Sequence, residues 1–300
     1  MPSWQDFEPF IVSGLALGGV YALSGVGMVV LYQATGVVYL AFGAVGAMGA
    51  LIAWSLINDA HAPGWVGWLV CVAFGAVVTL GYGMVFGPAL AKRDPLVKAV
   101  ATLGLTLVLF GVMDLLWTTS GGESRAITLP TDNGGFTIGQ VQVDWTQVIG
   151  LAAGVAITVV TGVFLRYAKL GTAMRAMAND REITATLGVP VRRVEAAAWL
   201  GCGILAGVAG VLLADLVALD ATTLTFLVIS SLAATLIARL RSITVTFAAA
   251  IVIGLVHDLL TPIQALTNYR DMTPFVLAAI ALLVLSRGGG RVLSRSREEA

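Results

Sequence analysis

Apolar runs of roughly 20 residues, parted by short polar breaks, repeat from one end of the chain to the other. They occupy 10–32, 36–57, 65–90, 96–117 and 145–167, then 196–218, 224–240 and 243–260. A bilayer core about 30 Å thick takes about 20 apolar residues of helix to cross, so each run predicts a membrane span. A last run, 272–286, is shorter and starts beside Pro274. The second run carries Gly43, Gly46 and Gly49 and is open to being broken or partly re-entrant. The pattern predicts an all-α, polytopic integral membrane helix bundle of about 8–9 transmembrane helices, forming one domain over 1–300.

One stretch breaks the rhythm. From Arg166 to Arg193 the chain reads RYAKLGTAMRAMANDREITATLGVPVRR, its longest strongly charged segment. The spacing predicts a short helix. Ala173, Ala176 and Met177 share one side, Ile183, Ala185 and Leu187 continue an apolar stripe, and Gly188 with Pro190 ends it. Asp180, Arg181 and Glu182 interrupt the stripe with charge. Such a helix is too polar to enter a bilayer and too apolar to stand free in water. It predicts a protein partner docked on the loop 168–193, delivering mechanical work there.

Composition sharpens the class. Hydrophobic residues make up 58% and charged residues 11% of the chain, against about 45–50% and about 25% in soluble domains. Net charge is zero, which gives no reason to expect nucleic acid. The distribution of charge is the informative part. Placing 168–193 in the cytoplasm and alternating the other loops puts every Lys and Arg inside except Arg125 and Arg270, the excess expected of cytoplasmic loops. About nine spans then place the N-terminus outside and the C-terminus inside. The acidic start, MPSWQDFEPF, lacks a basic n-region, so the first run reads as a permanent span.

The outside loop 118–144 carries turn signals and the alternating FTIGQVQVDW, which predicts a short strand pair. It is either a cap over helix ends or a contact for a soluble partner. The tail 287–300, Gly-rich then Arg-rich, predicts a cytoplasmic basic anchor against anionic membrane lipid. Gly14 with Gly18, Gly43 with Gly46, and Gly203 with Gly207 and Gly210 predict close helix crossings. Cys71 and Cys202 read as small packing residues.

Chemistry is sparse. No Lys, Arg, Asp or Glu falls at the middle of a predicted span, where ion- and proton-coupled carriers place their coupling groups. Asp114, Asp215 and Asp258 sit near the outer ends. They, with His257, either ring an outer mouth or reach headgroup water, the second being favoured. His61 has no metal-ligand partner at useful spacing, and no nucleophile–base set converges. No strand–glycine–lysine arrangement cradles a phosphate. The sequence therefore predicts no catalytic residue, no metal and no cofactor, with energy supplied from elsewhere or by a passive path.

With these residues laid out, the chain resembles the permease subunits of branched-chain amino acid ABC importers. GLALGGVYALSGVGMVVLYQATGVVYLAFGA, from Gly14 to Ala44, carries the likeness first. GTAMRAMANDREITATLGVPVRRVEAAAWLGCGILAGVAGVLLA, with Arg175-Ala176, Asp180, Ala185 and Leu187-Gly188-Val189 in matching places, carries it second. ATLGLTLVLFG, Ala101 to Gly111, is a softer third. The resemblance implies a second, homologous or identical permease and two cytoplasmic ATP-binding subunits, which would hold the ATP. It also implies an extracytoplasmic substrate-binding protein and a bacterial inner-membrane location. It makes the charged segment a coupling helix, with Gly171, Arg175, Ala176, Asp180, Arg181, Ala185 and Gly188 facing the ATPase, a mode of helix-in-groove recognition.

The sequence also departs from the family. Tyr39-Leu40-Ala41-Phe42-Gly43-Ala44 stands where the family often has Asn-Phe-Ala-His-Gly-Glu. Ser230-Ser231-Leu232-Ala233-Ala234 stands where Gly-rich sequence is expected. The substrate is thus a branched-chain amino acid or a related small solute, such as another amino acid, an amide or urea. Tyr21, Tyr39, Phe42 and Gly43 are candidates for the translocation path, with packing against lipid or helices left open. The alternative function is a stand-alone secondary carrier or channel for a small polar solute.

Overall fold

A helix with no polar face has nothing to leave outside, and α1 (Trp4–Thr35) is such a helix. Every position from 16 to 29 is buried. Around it stand α2 (Phe42–Asn58), α3 (Gly64–Leu90), α4 (Pro95–Trp117), α5 (Trp145–Tyr167), α8 (Val191–Leu216), α9 (Ala221–Ile237) and α10 (Ile243–Leu259). Two short helices, α6 (Lys169–Asn179) and α7 (Arg181–Thr186), fill the charged segment. Residues 273–281 form a last helix. This computed structural model describes residues 4–91, 93–117, 135–138, 141–217, 219–262, 270, 272–281 and 283. The tail 287–300 and most of the loop 118–144 lie outside the described residues. At the loop's end, β1 (Gly135–Ile138) and β2 (Val141–Asp144) pair antiparallel, Phe136 opposite Val143, as the alternation predicts.

Among the described residues five helices, α1, α3, α4, α5 and α8, are long and apolar enough to cross a membrane. The apolar helices α2, α9 and α10 have 17 residues each, about 25 Å of helix. Leu103, Leu107 and Val108 of α4 and Val155, Val159, Val160 and Val163 of α5 are exposed. A continuous apolar belt of this extent belongs in lipid, since soluble monomers rarely show one. The fold is the expected polytopic membrane bundle.

The interior is joined at glycines. A Cβ added at Gly210 of α8 would strike the backbone of Gly46 in α2, and one at Gly203 would strike the carbonyl oxygen of Gly75 in α3. Gly18 meets Gly254 of α10 in the same way. In lipid, where apolar burial gives helices little reason to associate, close backbone approach supplies the attraction. Cys71 and Cys202 are free and buried, with Cys71 Sγ donating to the Gly207 carbonyl at 3.2 Å.

The second apolar run needs correction. Its helix begins at Phe42, and 36–41 is not helical. Val37, Tyr39 and Ala41 of this crossing are nonetheless buried. Backbone at such depth needs hydrogen-bond partners from the protein itself, and side chains supply them. Thr35 Oγ1 accepts from the Val37 N–H at 3.2 Å. Thr102 of α4 accepts from the Leu40 N–H at 3.2 Å, and its hydroxyl donates to Val38 O at 3.0 Å or Ala99 O at 2.8 Å. Gly36, at φ +67, makes the turn out of α1. A second correction concerns Asp258 and His257, each 7% exposed. They do not reach headgroup water. Gly14 lets α1 approach Asp258 closely: a Cβ added at Gly14 would come within 3.3 Å of the Asp258 Cβ.

Candidate functional site

The charged segment folds as two helices, where the spacing predicts one. Asp180 separates them with extended backbone, φ −154 and ψ 112. Its carboxylate accepts from the backbone N–H groups of Glu182 and Ile183, both at 2.9 Å, capping α7. Once an acidic side chain satisfies the first amides of a new helix, the chain can leave the old axis and restart.

The apolar stripe divides along the same line. On α6, Gly171, Met174 and Met177 are buried, and Ala176 is exposed. Gly171 lets α6 fold back onto the end of α5, where a Cβ would meet the Phe164 carbonyl oxygen. On α7 only Thr184 is buried. Ile183 is 60% exposed and Leu187 76%, so the second half of the predicted stripe faces outward. Ala185 is exposed beside them. Arg181 ties α7 to α8 through Glu195 at 2.8 Å. Gly188, at φ +82, turns the chain into Pro190 and α8. Arg175 is exposed, its guanidinium reaching the Arg166 carbonyl at 3.5 Å.

Five of the seven predicted coupling residues, namely Arg175, Ala176, Asp180, Ala185 and Gly188, are thus exposed on one segment. Gly171 is buried against α5, and Arg181 is partly buried in its ion pair. The four path candidates lie elsewhere, all buried. Tyr39 is held between α3 and α8, its hydroxyl 3.2 Å from Thr79 Oγ1 and its ring edge-on to Trp199 at 5.4 Å. Phe42 and Gly43 border a buried void of about 10 Å³ with Ser24, Gly210 and Val228, room for about one water. Tyr21 is fully buried in α1. The sequence reading missed Thr102, which orders the entrance to α2. Its signal is that a Thr recurs at 102 and 106 on one face of α4, whose charges lie only near its ends at Lys98 and Asp114.

Comparison with known proteins decides the family. The family described as "Branched-chain amino acid transport system / permease component" matches residues 10–285. The chain belongs to that family. The permease is 27% identical over 293 residues to the high-affinity branched-chain amino acid transport system permease protein LivH of Escherichia coli K12, covering 92% of each chain. It is 25% identical over 264 residues to a probable LivH of Methanocaldococcus jannaschii, covering 85% of this chain and 81% of the relative. It is 26% identical over 228 residues to BraD of Pseudomonas aeruginosa, covering 71% and 72%. The permease is therefore a multi-pass inner-membrane subunit of an ABC transporter, a transport component and not an enzyme, and it works with the other components of such a transporter.

Proposed function

We propose that the permease forms one half of the translocation path of an ATP-driven importer and receives its work through α6 and α7. The carrying observation is the shape of that pair. Met174 and Met177 seat it on the bundle while Ile183 and Leu187 stand exposed beside Arg175 and Asp180. An apolar surface outside the lipid belt, edged by charge, suits a groove in a partner protein. Two cytoplasmic ATP-binding subunits would dock there and hold the ATP. A second permease, homologous or identical, would complete the path, and a substrate-binding protein would deliver solute from the other side. ATPase closure would then move α6–α7 as a lever between two packings of the spans.

The names of the relatives favour a branched-chain amino acid as substrate, with related amino acids the wider class. The path is read along the start of α2, where Phe42 and Gly43 border the central void and the buried Tyr21 and Tyr39 hold the flanking helices. The α6–α7 face is read as cytoplasmic. Lys98, Arg166, Arg175, Arg181, Arg239 and Arg241 gather there, and cations in excess belong inside.

Charge reversal tests the lever. Arg175→Glu and Asp180→Lys should each lower leucine uptake at least about tenfold, equivalent to ~1.4 kcal/mol, with ATP hydrolysis persisting and protein levels in the membrane unchanged. Asp180→Asn keeps a capping oxygen and separates loss of the cap from loss of charge. Normal uptake in both reversal variants would sink the proposal. Sidedness has its own test. Ala178 is exposed on α6, and an Ala178→Cys variant should react with a membrane-impermeant thiol reagent only from the cytoplasmic side. Labelling in intact cells would reverse the assigned orientation.

A further inference from the structure

The charged face of the bundle is concave. An open cavity of about 1710 Å³ lies among the last turns of α1 and α5, the start of α4, α6–α7 and the turn between α9 and α10. Lys98, Arg166, Arg175, Arg181, Arg239 and Arg241 line it, with Glu182 among them and Glu195 paired to Arg181 at 2.8 Å. Cations near helix C-termini complement the macrodipole. That accounts for Arg166, in the last turn of α5, and for Arg239 and Arg241, which follow α9. It does not account for Lys98, which enters from the first turn of α4, a turn without an acidic residue. There the dipole opposes a cation. Nor does it explain why charges from separate elements face a common space.

The turn that presents two of them adopts an unusual backbone. Arg239 (φ 52) and Leu240 (φ 56) are consecutive left-handed residues, neither a glycine. The turn is held by the Leu240 N–H donating to Thr235 O at 2.8 Å, and by Gln33 Nε2 donating to Arg241 O at 2.8 Å. Backbone in sparsely populated conformations gathers at functional sites. Ile243 and the exposed Gly162 share the lining with the cations, and Val159, one turn before Gly162 on the same face of α5, is exposed in the apolar belt. The occupant that fits carries compact negative charge immediately beside hydrocarbon. A soluble anion would meet the charge and leave the apolar edge from Gly162 to Val159 uncovered.

We propose that this cavity binds the phosphate headgroup of an anionic membrane lipid, such as phosphatidylglycerol or cardiolipin, in the leaflet on the α6–α7 side. Basic pockets between transmembrane helices take such headgroups. Only the naming of that leaflet as cytoplasmic rests on the proposed function.

Native mass spectrometry of the purified full-length permease, exchanged into detergent with dihexanoyl phosphatidylglycerol or dihexanoyl phosphatidylcholine, tests it. The expected result is retention of the anionic lipid over the zwitterionic one. Arg239→Gln with Arg241→Gln should weaken retention about 10- to 30-fold, and Lys98→Gln should weaken it by several-fold. Arg192→Gln, on an exposed residue outside the cavity, should leave it unchanged, and Arg239→Lys with Arg241→Lys should restore most of it. Equal retention of the two lipids, or indifference to all the cavity substitutions, overturns the proposal. Displacement by inorganic phosphate at equal concentration also overturns it in favour of a soluble-anion site. So does displacement of the lipid by added ATP-binding subunits whose own binding the same substitutions abolish. A detergent measurement has no sides and needs no ATPase, so the lipid site and the coupling function fail or stand separately.

Discussion

Gly203→Val should yield no stably folded permease. The α3–α8 crossing is backbone on backbone. A Cβ at 203 would strike the Gly75 carbonyl and come within 2.8 Å of Thr79 Cβ. Neither neighbour is the tip of a flexible side chain, so the helices themselves would have to part. Overpacking a well-filled interior typically costs about 1–3 kcal/mol, and a branched side chain against backbone lies at or above the top of that range. Separation would also reach Trp199, whose ring faces both Tyr39 and Tyr82. Thermal unfolding in detergent, monitored by size exclusion after heating, reads the effect. Gly201→Val is the matched control, because nothing lies within 4 Å of a Cβ at that position on the same helix. Equal stability of the two variants would show that the crossing does not depend on the missing side chain.

Thr102→Val should be the most damaging change that leaves side-chain shape unaltered. Valine fills the same space but removes the only acceptor shown for the Leu40 N–H and the hydroxyl proton that Val38 O shares with Ala99 O. A fully buried backbone group left without a partner costs about 1–3 kcal/mol; Leu40 N–H and Val38 O are part-buried, so a loss of about 1–3 kcal/mol in all is expected. Thr102→Ser keeps the hydroxyl and should fall within about 1 kcal/mol of wild type. Thr106→Val separates this effect from generic loss of a threonine. The Thr106 hydroxyl only donates back to its own helix, to Thr102 O at 3.2 Å. If Thr102→Val is no worse than Thr106→Val in thermal unfolding, the crossing is held by packing alone.

The two interruptions of regular structure differ in how far they could be read in advance. The break between α6 and α7 had a local sign. Asp180 stands at the N-cap position of α7, and its carboxylate reaches amides only two and three residues ahead. An N-cap reading of Asp-Arg-Glu-Ile would have placed it, and the continuous apolar stripe concealed it. The exposure of Ile183 and Leu187 had no such sign, since it depends on which side of α7 the bundle occupies. The late start of α2 was legible only as glycine richness. What ties the non-helical stretch 36–41 down is Thr102, 64 residues from Val38 in sequence, and periodicity carries no information about so distant a partner.

Membrane class, the spans and the gathering of cations on one face were all written in the order of residues. Apolar length and charge at helix ends are local properties that a bilayer reads directly. The tertiary structure decided which glycines meet, that Asp258 is buried against α1, and that the charged segment bends at Asp180 and turns Leu187 outward. Those outcomes depend on steric fit and hydrogen bonding between residues far apart in the chain, and many apolar faces are equivalent until the helices meet.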